Sequence, residues 1–95
     1  MVTILDITQA INSVAKKYDI KKIMLFGSYA EGTNTQTSDV DLLVEFNSEY
    51  VSLLTIASLK IELEELLNIQ VDIIRFPIPE GSLINPEKVV PIYAA

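Results

Sequence analysis

The chain has 95 residues, 49% of them hydrophobic, with seven Lys+Arg against 13 Asp+Glu, a formal net charge of −6, and neither Cys nor His. One domain spanning 1–95 fits that length, and a chain of this size buries roughly 60–70% of its unfolded surface without metal or disulfide staples. The missing Cys and His exclude a disulfide framework, a Cys/His zinc site, a thiol nucleophile and a Ser-His-Asp triad, so any catalysis must run on carboxylates and hydroxyls, for which a hard cation such as Mg²⁺ is the natural helper.

The acidic balance argues against direct binding of nucleic acid, which needs clustered cations. Lys16, Lys17, Lys21 and Lys22 form the only basic grouping, and it reads as a solvated helix end. The amino terminus has no basic segment leading into an apolar run, and no apolar stretch approaches the ~20 residues that span a bilayer. The expectation is a cytoplasmic protein with no membrane contact.

In chain order, Ile4, Ile7, Ile11, Val14 and Tyr18 recur at three- and four-residue spacing and predict a helix over 4–18, with Thr3 and Asp6 as a capping pair. Ile23-Met24-Leu25-Phe26, stopped by Gly27, reads as a strand buried on both faces. A polar loop over 34–38 leads into a second strand, where Val40, Leu42, Val44 and Phe46 alternate with Asp39, Asp41, Leu43 and Glu45. A helix over 52–67 sets Leu53, Ile56, Leu63 and Leu67 against Lys60, Glu62, Glu64 and Glu65 on its wet side, and Asn68 suits a left-handed cap. Gln70 to Phe76 predicts a third strand, stopped by Pro77 and Pro79. In the tail, Pro86 is suited to opening a helical turn, and Val89 to Tyr93 reads as an edge strand or an apolar contact segment.

Three features carry chemistry. Gly27-Ser28 follows the first strand, where glycine admits a close ligand and Ser28 serves either as an N-cap or as part of an anion cradle. In Ser38-Asp39-Val40-Asp41, residues two apart on a strand share a face, which sets Asp39 beside Asp41. Read blandly, Asp39 ends the loop and Asp41 sits on a solvated edge. The apolar Leu42-Leu43-Val44 that follows implies instead a central strand with little solvated face. Asp72 lies within Val71-Asp72-Ile73-Ile74, where a charge must be paired, with Arg75 or Lys60, or metal-bound. Together the three aspartates make an oxygen-ligand site for two divalent ions, suited to phosphoryl or nucleotidyl transfer.

The runs GSYAEG, SDVDLLVEF and VDII resemble the minimal nucleotidyltransferase domains of the DNA polymerase β-like superfamily, from the first helix through Asp72. The resemblance implies an α/β (α+β) fold, a small mixed β-sheet backed by helices. It also implies transfer of AMP from ATP to a hydroxyl with two Mg²⁺ ions. Carried onto this chain, it makes Asp39, Asp41 and Asp72 the catalytic and metal-binding residues and assigns Gly27, Ser28 and Ser38 to the nucleotide. Such proteins are commonly encoded with a helical HEPN toxin, which they silence by adenylylating a tyrosine, so the implied partner is a HEPN-domain protein and the implied role that of an antitoxin. Glu31 departs from the pattern, since many relatives carry Arg or Lys there. The competing reading is a binding module of the same fold that neutralises its partner by occlusion, with its net charge and the apolar tail around Val89, Val90, Ile92 and Tyr93 making the contact.

Overall fold

A computed structural model of the chain describes residues 2–35, 38–76 and 89–94. Helix α1 (Ile4–Val14) opens with the expected reciprocal cap: Asp6 N–H donates to Thr3 Oγ1 at 3.1 Å, and Thr3 N–H donates to Asp6 Oδ2 at 2.9 Å. The apolar stripe runs on to Tyr18, but the helix does not: Ala15–Tyr18 tighten into a 3₁₀ turn that Asp19 closes at φ 53°. That turn aims the chain into strand β1 (Ile20–Phe26), which starts three residues before the apolar run because Ile20 is also buried. Lys21 and Lys22 therefore lie on a strand and not on a helix end.

A single helical turn, α2 (Ser28–Glu31), follows β1 and ends at Gly32, φ 75°. Strand β2 (Val40–Phe46) starts one residue later than the expected alternation and leaves Asp39 outside it, and helix α3 (Leu53–Leu67) begins at a Ser52 cap whose Oγ accepts from Thr55 N–H. Asn68 closes α3 at φ 54°, the left-handed cap its side chain tolerates. Strands β3 (Val71–Arg75) and β4 (Val90–Ala94) complete the described elements. The tail segment is thus an edge strand, with Ile92 and Tyr93 packed partly into the core, so those side chains are spent within the fold. The expectations for Pro77, Pro79 and Pro86 lie outside the described residues.

The sheet order is β3-β2-β1-β4, with β1 antiparallel to β2 and β4, and β3 parallel to β2. It is the mixed sheet backed by helices that the sequence implied. Ile7, Ile11 and Val14 of α1 and Leu59 and Leu63 of α3 pack on Ile23, Leu25, Val40, Leu42, Val44 and Val71 to form the core. Because strand side chains alternate, Met24 and Phe26 of β1, Asp41 of β2 and Asp72 of β3 project from the opposite face. Met24 and Phe26 are only partly buried there, so β1 is not enclosed on both sides as its sequence implied.

Candidate active site

At the end of β1, Phe26 pairs with Asp41, so Gly27 falls directly beyond that carboxylate. Its backbone, φ 75° and ψ −154°, is open to glycine and strained for other residues. A Cβ placed there would overlap Asp41 Oδ2 and come within 3.2 Å of its Cγ. Two independent constraints, conformation and space, therefore require glycine at position 27. Gly27 itself is the N-cap of α2 and Ser28 is its first residue, which corrects the expectation that Ser28 caps the turn. Tyr29 anchors α2 in the core, and its buried hydroxyl finds no hydrogen-bond partner among the described residues.

The parallel pairing of β2 with β3 sets Asp41 directly opposite Asp72. Asp39 precedes β2 and lies outside the strand, so the two-residue spacing does not by itself align it with Asp41. The three charges nevertheless converge: burial, then the neighbouring Asp72 and Asp39, hold the Asp41 carboxyl above the usual carboxylate range. Ser38 closes the preceding loop, its Oγ accepting from Thr35 N–H at 2.8 Å and its own N–H donating to Thr35 O at 3.1 Å.

Among the described residues no three acidic side chains are arranged so as to hold a metal ion. The donor set still fits Mg²⁺ in kind, being all oxygen, and the mutual repulsion that disfavours a charged Asp41 is what a bound cation would relieve. Asp72 already has one cation: Lys60 Nζ lies 3.7 Å from its Oδ1. Of the two partners that the sequence offered, Lys60 is therefore the one used, while the Arg75 guanidinium donates to the carbonyls of Ser48 and Glu49.

Lys60 and Glu64 were expected on the wet side of α3, but they reach across to the outer edge of β3. Lys60 Nζ donates to Val71 O at 2.6 Å, and Val71 N–H donates to Glu64 Oε2 at 3.0 Å. One i,i+4 pair thus satisfies both backbone groups of the residue before Asp72. Its only signal in the sequence is that Lys-to-Glu spacing, which many solvated helix faces share.

The model of the nucleotidyltransferase domain family matches residues 7–92. The chain belongs to this family. A candidate protein adenylyltransferase of Methanocaldococcus jannaschii, MJ0435, is 41% identical over 84 residues, which cover 84% of this nucleotidyltransferase and 89% of the relative. The protein adenylyltransferase MntA of Thermococcus cleftensis is 41% identical over 59 residues, 62% of this chain and 59% of that one. A solved structure assigned as a minimal nucleotidyltransferase superposes with TM-score 0.66 at 35% identity over 78% of each chain. A toxin–antitoxin structure with AMP-PNP superposes at 0.78, with 21% identity over 93% of this chain and 73% of that one. A tri-AMPylated Shewanella oneidensis HEPN toxin in complex with its MNT antitoxin gives 0.73, with 16% identity over 98% and 74%. At those identities the last two show the fold. No helix among the described residues is long and apolar enough to cross a membrane.

Proposed function

We propose that this nucleotidyltransferase transfers AMP from ATP to a tyrosine hydroxyl of a HEPN-domain toxin and so acts as the antitoxin of a cytoplasmic toxin–antitoxin pair. The observation that carries the reading is the register of β2 on β3, which sets Asp41 against Asp72 beside a Gly27 with no room for a side chain. The similarity to protein adenylyltransferases and to antitoxins solved with their HEPN toxins or with AMP-PNP supports the substrate and the partner.

In this reading Asp39, Asp41 and Asp72 would hold two Mg²⁺ ions, and the bound ions would supply positive charge against the phosphates. Gly27, Ser28 and Ser38 bind the triphosphate, with the Gly27 backbone approaching it closely because no Cβ intervenes. Asp72 accepts the proton of the acceptor hydroxyl. The acceptor oxygen forms a bond to the α-phosphorus as the bond to the bridging β-phosphate oxygen breaks, and pyrophosphate leaves.

The test is AMP transfer from labelled ATP with Mg²⁺ to a co-expressed HEPN-domain partner. Wild type labels the partner, and the double variant Asp39→Ala, Asp41→Ala does not. Undiminished labelling by that variant would sink the assignment of these residues. Neutralisation that survives in the variant without any labelling would favour occlusion, the reading that an acidic Glu31 in the Gly27 loop also favours.

A further inference from the structure

Lys60 is the residue of α3 that reaches the candidate site. Its Nζ donates to Val71 O at 2.6 Å, lies 3.4 Å from Glu64 Oε2 and stands 3.7 Å from Asp72 Oδ1. The first two partners set where the ammonium sits. Val71 O is backbone on the edge strand β3, and Glu64 is itself held by Val71 N–H. An exposed ion pair usually contributes little, because two mobile side chains must be ordered to make it. Here the ammonium is ordered by contacts that do not involve Asp72, so the carboxylate meets a charge already in place.

Asp72 therefore stands between two charges of opposite sign. Its partner across the strand pair is Asp41, a like charge, and at the edge of the sheet is Lys60. Asp39 and Asp41 have no ion pair among the described residues, so the one resident cation found there falls on Asp72. The Asp72 side chain is also 47% exposed and thus open to an ion from solution. A divalent ion drawn to it meets the repulsion of an ammonium that cannot move aside without giving up Val71 O and Glu64.

We propose that Lys60 is a positioning residue, a tethered counter-ion that balances Asp72 in the metal-free protein, opposes Mg²⁺ there, and so sets the Mg²⁺ concentration at which the site fills. Glu64 tunes this by drawing part of the ammonium's charge away from Asp72. The inference rests on the proposed metal site and adds what governs its occupancy.

The test is binding of Mn²⁺, a spectroscopic substitute for Mg²⁺ at oxygen ligands, to wild type, Lys60→Met, Glu64→Gln and Lys21→Met, read by electron paramagnetic resonance of the free ion. Met keeps the apolar stem of Lys60 without its charge, and Gln keeps an oxygen for Val71 N–H. Lys21→Met removes the same charge at the opposite end of β1 from Phe26 and Asp41, beside Glu45. Lys60→Met should tighten Mn²⁺ binding by at least about threefold, Glu64→Gln should weaken it by about twofold or more, and Lys21→Met should leave it within about 1.5-fold of wild type.

The opposite signs discriminate. A pair that only fastens the β3 edge would loosen the site when either member is lost, so weaker binding in both Lys60→Met and Glu64→Gln overturns the inference. Unchanged affinity in Lys60→Met overturns it too, as does equal tightening in Lys21→Met, which would make the effect one of net charge. If thermal melting shows that Lys60→Met does not fold, Glu64→Gln decides alone: weaker binding at wild-type Tm is expected, and unchanged or tighter binding overturns. Failure of the catalytic reading shows separately. Wild type that binds no Mn²⁺, with or without ATP, removes the metal site and the inference with it, whereas wild type that binds Mn²⁺ as expected but transfers no AMP removes the chemistry and leaves the role of Lys60 standing.

Discussion

Asp41 is a carboxylate that the fold makes uncomfortable, because burial and the charges of Asp72 and Asp39 all act against its ionised form. Its pKa in the folded chain lies above that in the unfolded chain, so the folded state holds an extra proton between the two values. Without metal, stability then falls as pH rises from the ordinary aspartate range through the raised pKa. Asp41→Asn cannot ionise and should escape that loss. In thermal melts with chelator present, the variant is expected to melt above wild type near neutral pH, with a gain in unfolding free energy of no more than about 1 kcal/mol because the site is partly open to solvent. The gain should vanish at pH values where wild-type Asp41 is protonated in both states; a gain independent of pH would refute the electrostatic account. A site that destabilises the molecule holding it is the usual trade between stability and function.

Between elements, the contact that stands out is the grip of α3 on the edge of β3. An edge strand exposes unpaired backbone groups, and Lys60 and Glu64 cover both of those on Val71. The Val71 N–H in turn holds the Glu64 carboxylate below its usual range, so this bond persists above that lowered pKa and is lost as pH falls through it. Glu64→Ala should speed hydrogen exchange at Val71 by about tenfold or more, while Ile23 and Leu25 in the central strand β1 keep wild-type protection. Equal loss of protection at all three would mean global destabilisation and no local role. Sequence periodicity located α1, β2 and α3 to within a residue or two, except that the stripe through Tyr18 hid the change from α-helix to 3₁₀ turn. Both conformations put Tyr18 on the apolar side, so the pattern does not distinguish them. Lys60 and Glu64 were legible only as a helical pair, because their partner is backbone, which leaves no mark in the sequence.

For the molecule as a whole, stability rests on one core between the helices and the sheet. Leu63 is fully buried within it, and Leu63→Ala should cost about 2–5 kcal/mol, read by denaturant midpoint, with the spread set by how far the helices collapse into the space left. The sequence by itself determined the chemistry on offer: without His or Cys the donors are oxygens, and the aspartates at 39, 41 and 72 stand at the margin of or within apolar strands, where charge is costly. It also marked Gly27 and the capped ends of α1 and α3, since caps and turns depend on residues close in sequence. The tertiary structure decided which groups meet. Asp41 faces Asp72 because β2 and β3 pair in parallel in one register, and pairing between segments some thirty residues apart is set by burial of the whole sheet and by no local period. The same packing turned Lys60 and Glu64 onto β3 and left Leu53, Leu54 and Ile61 exposed, because α3 carries apolar residues beyond the one face that the core covers.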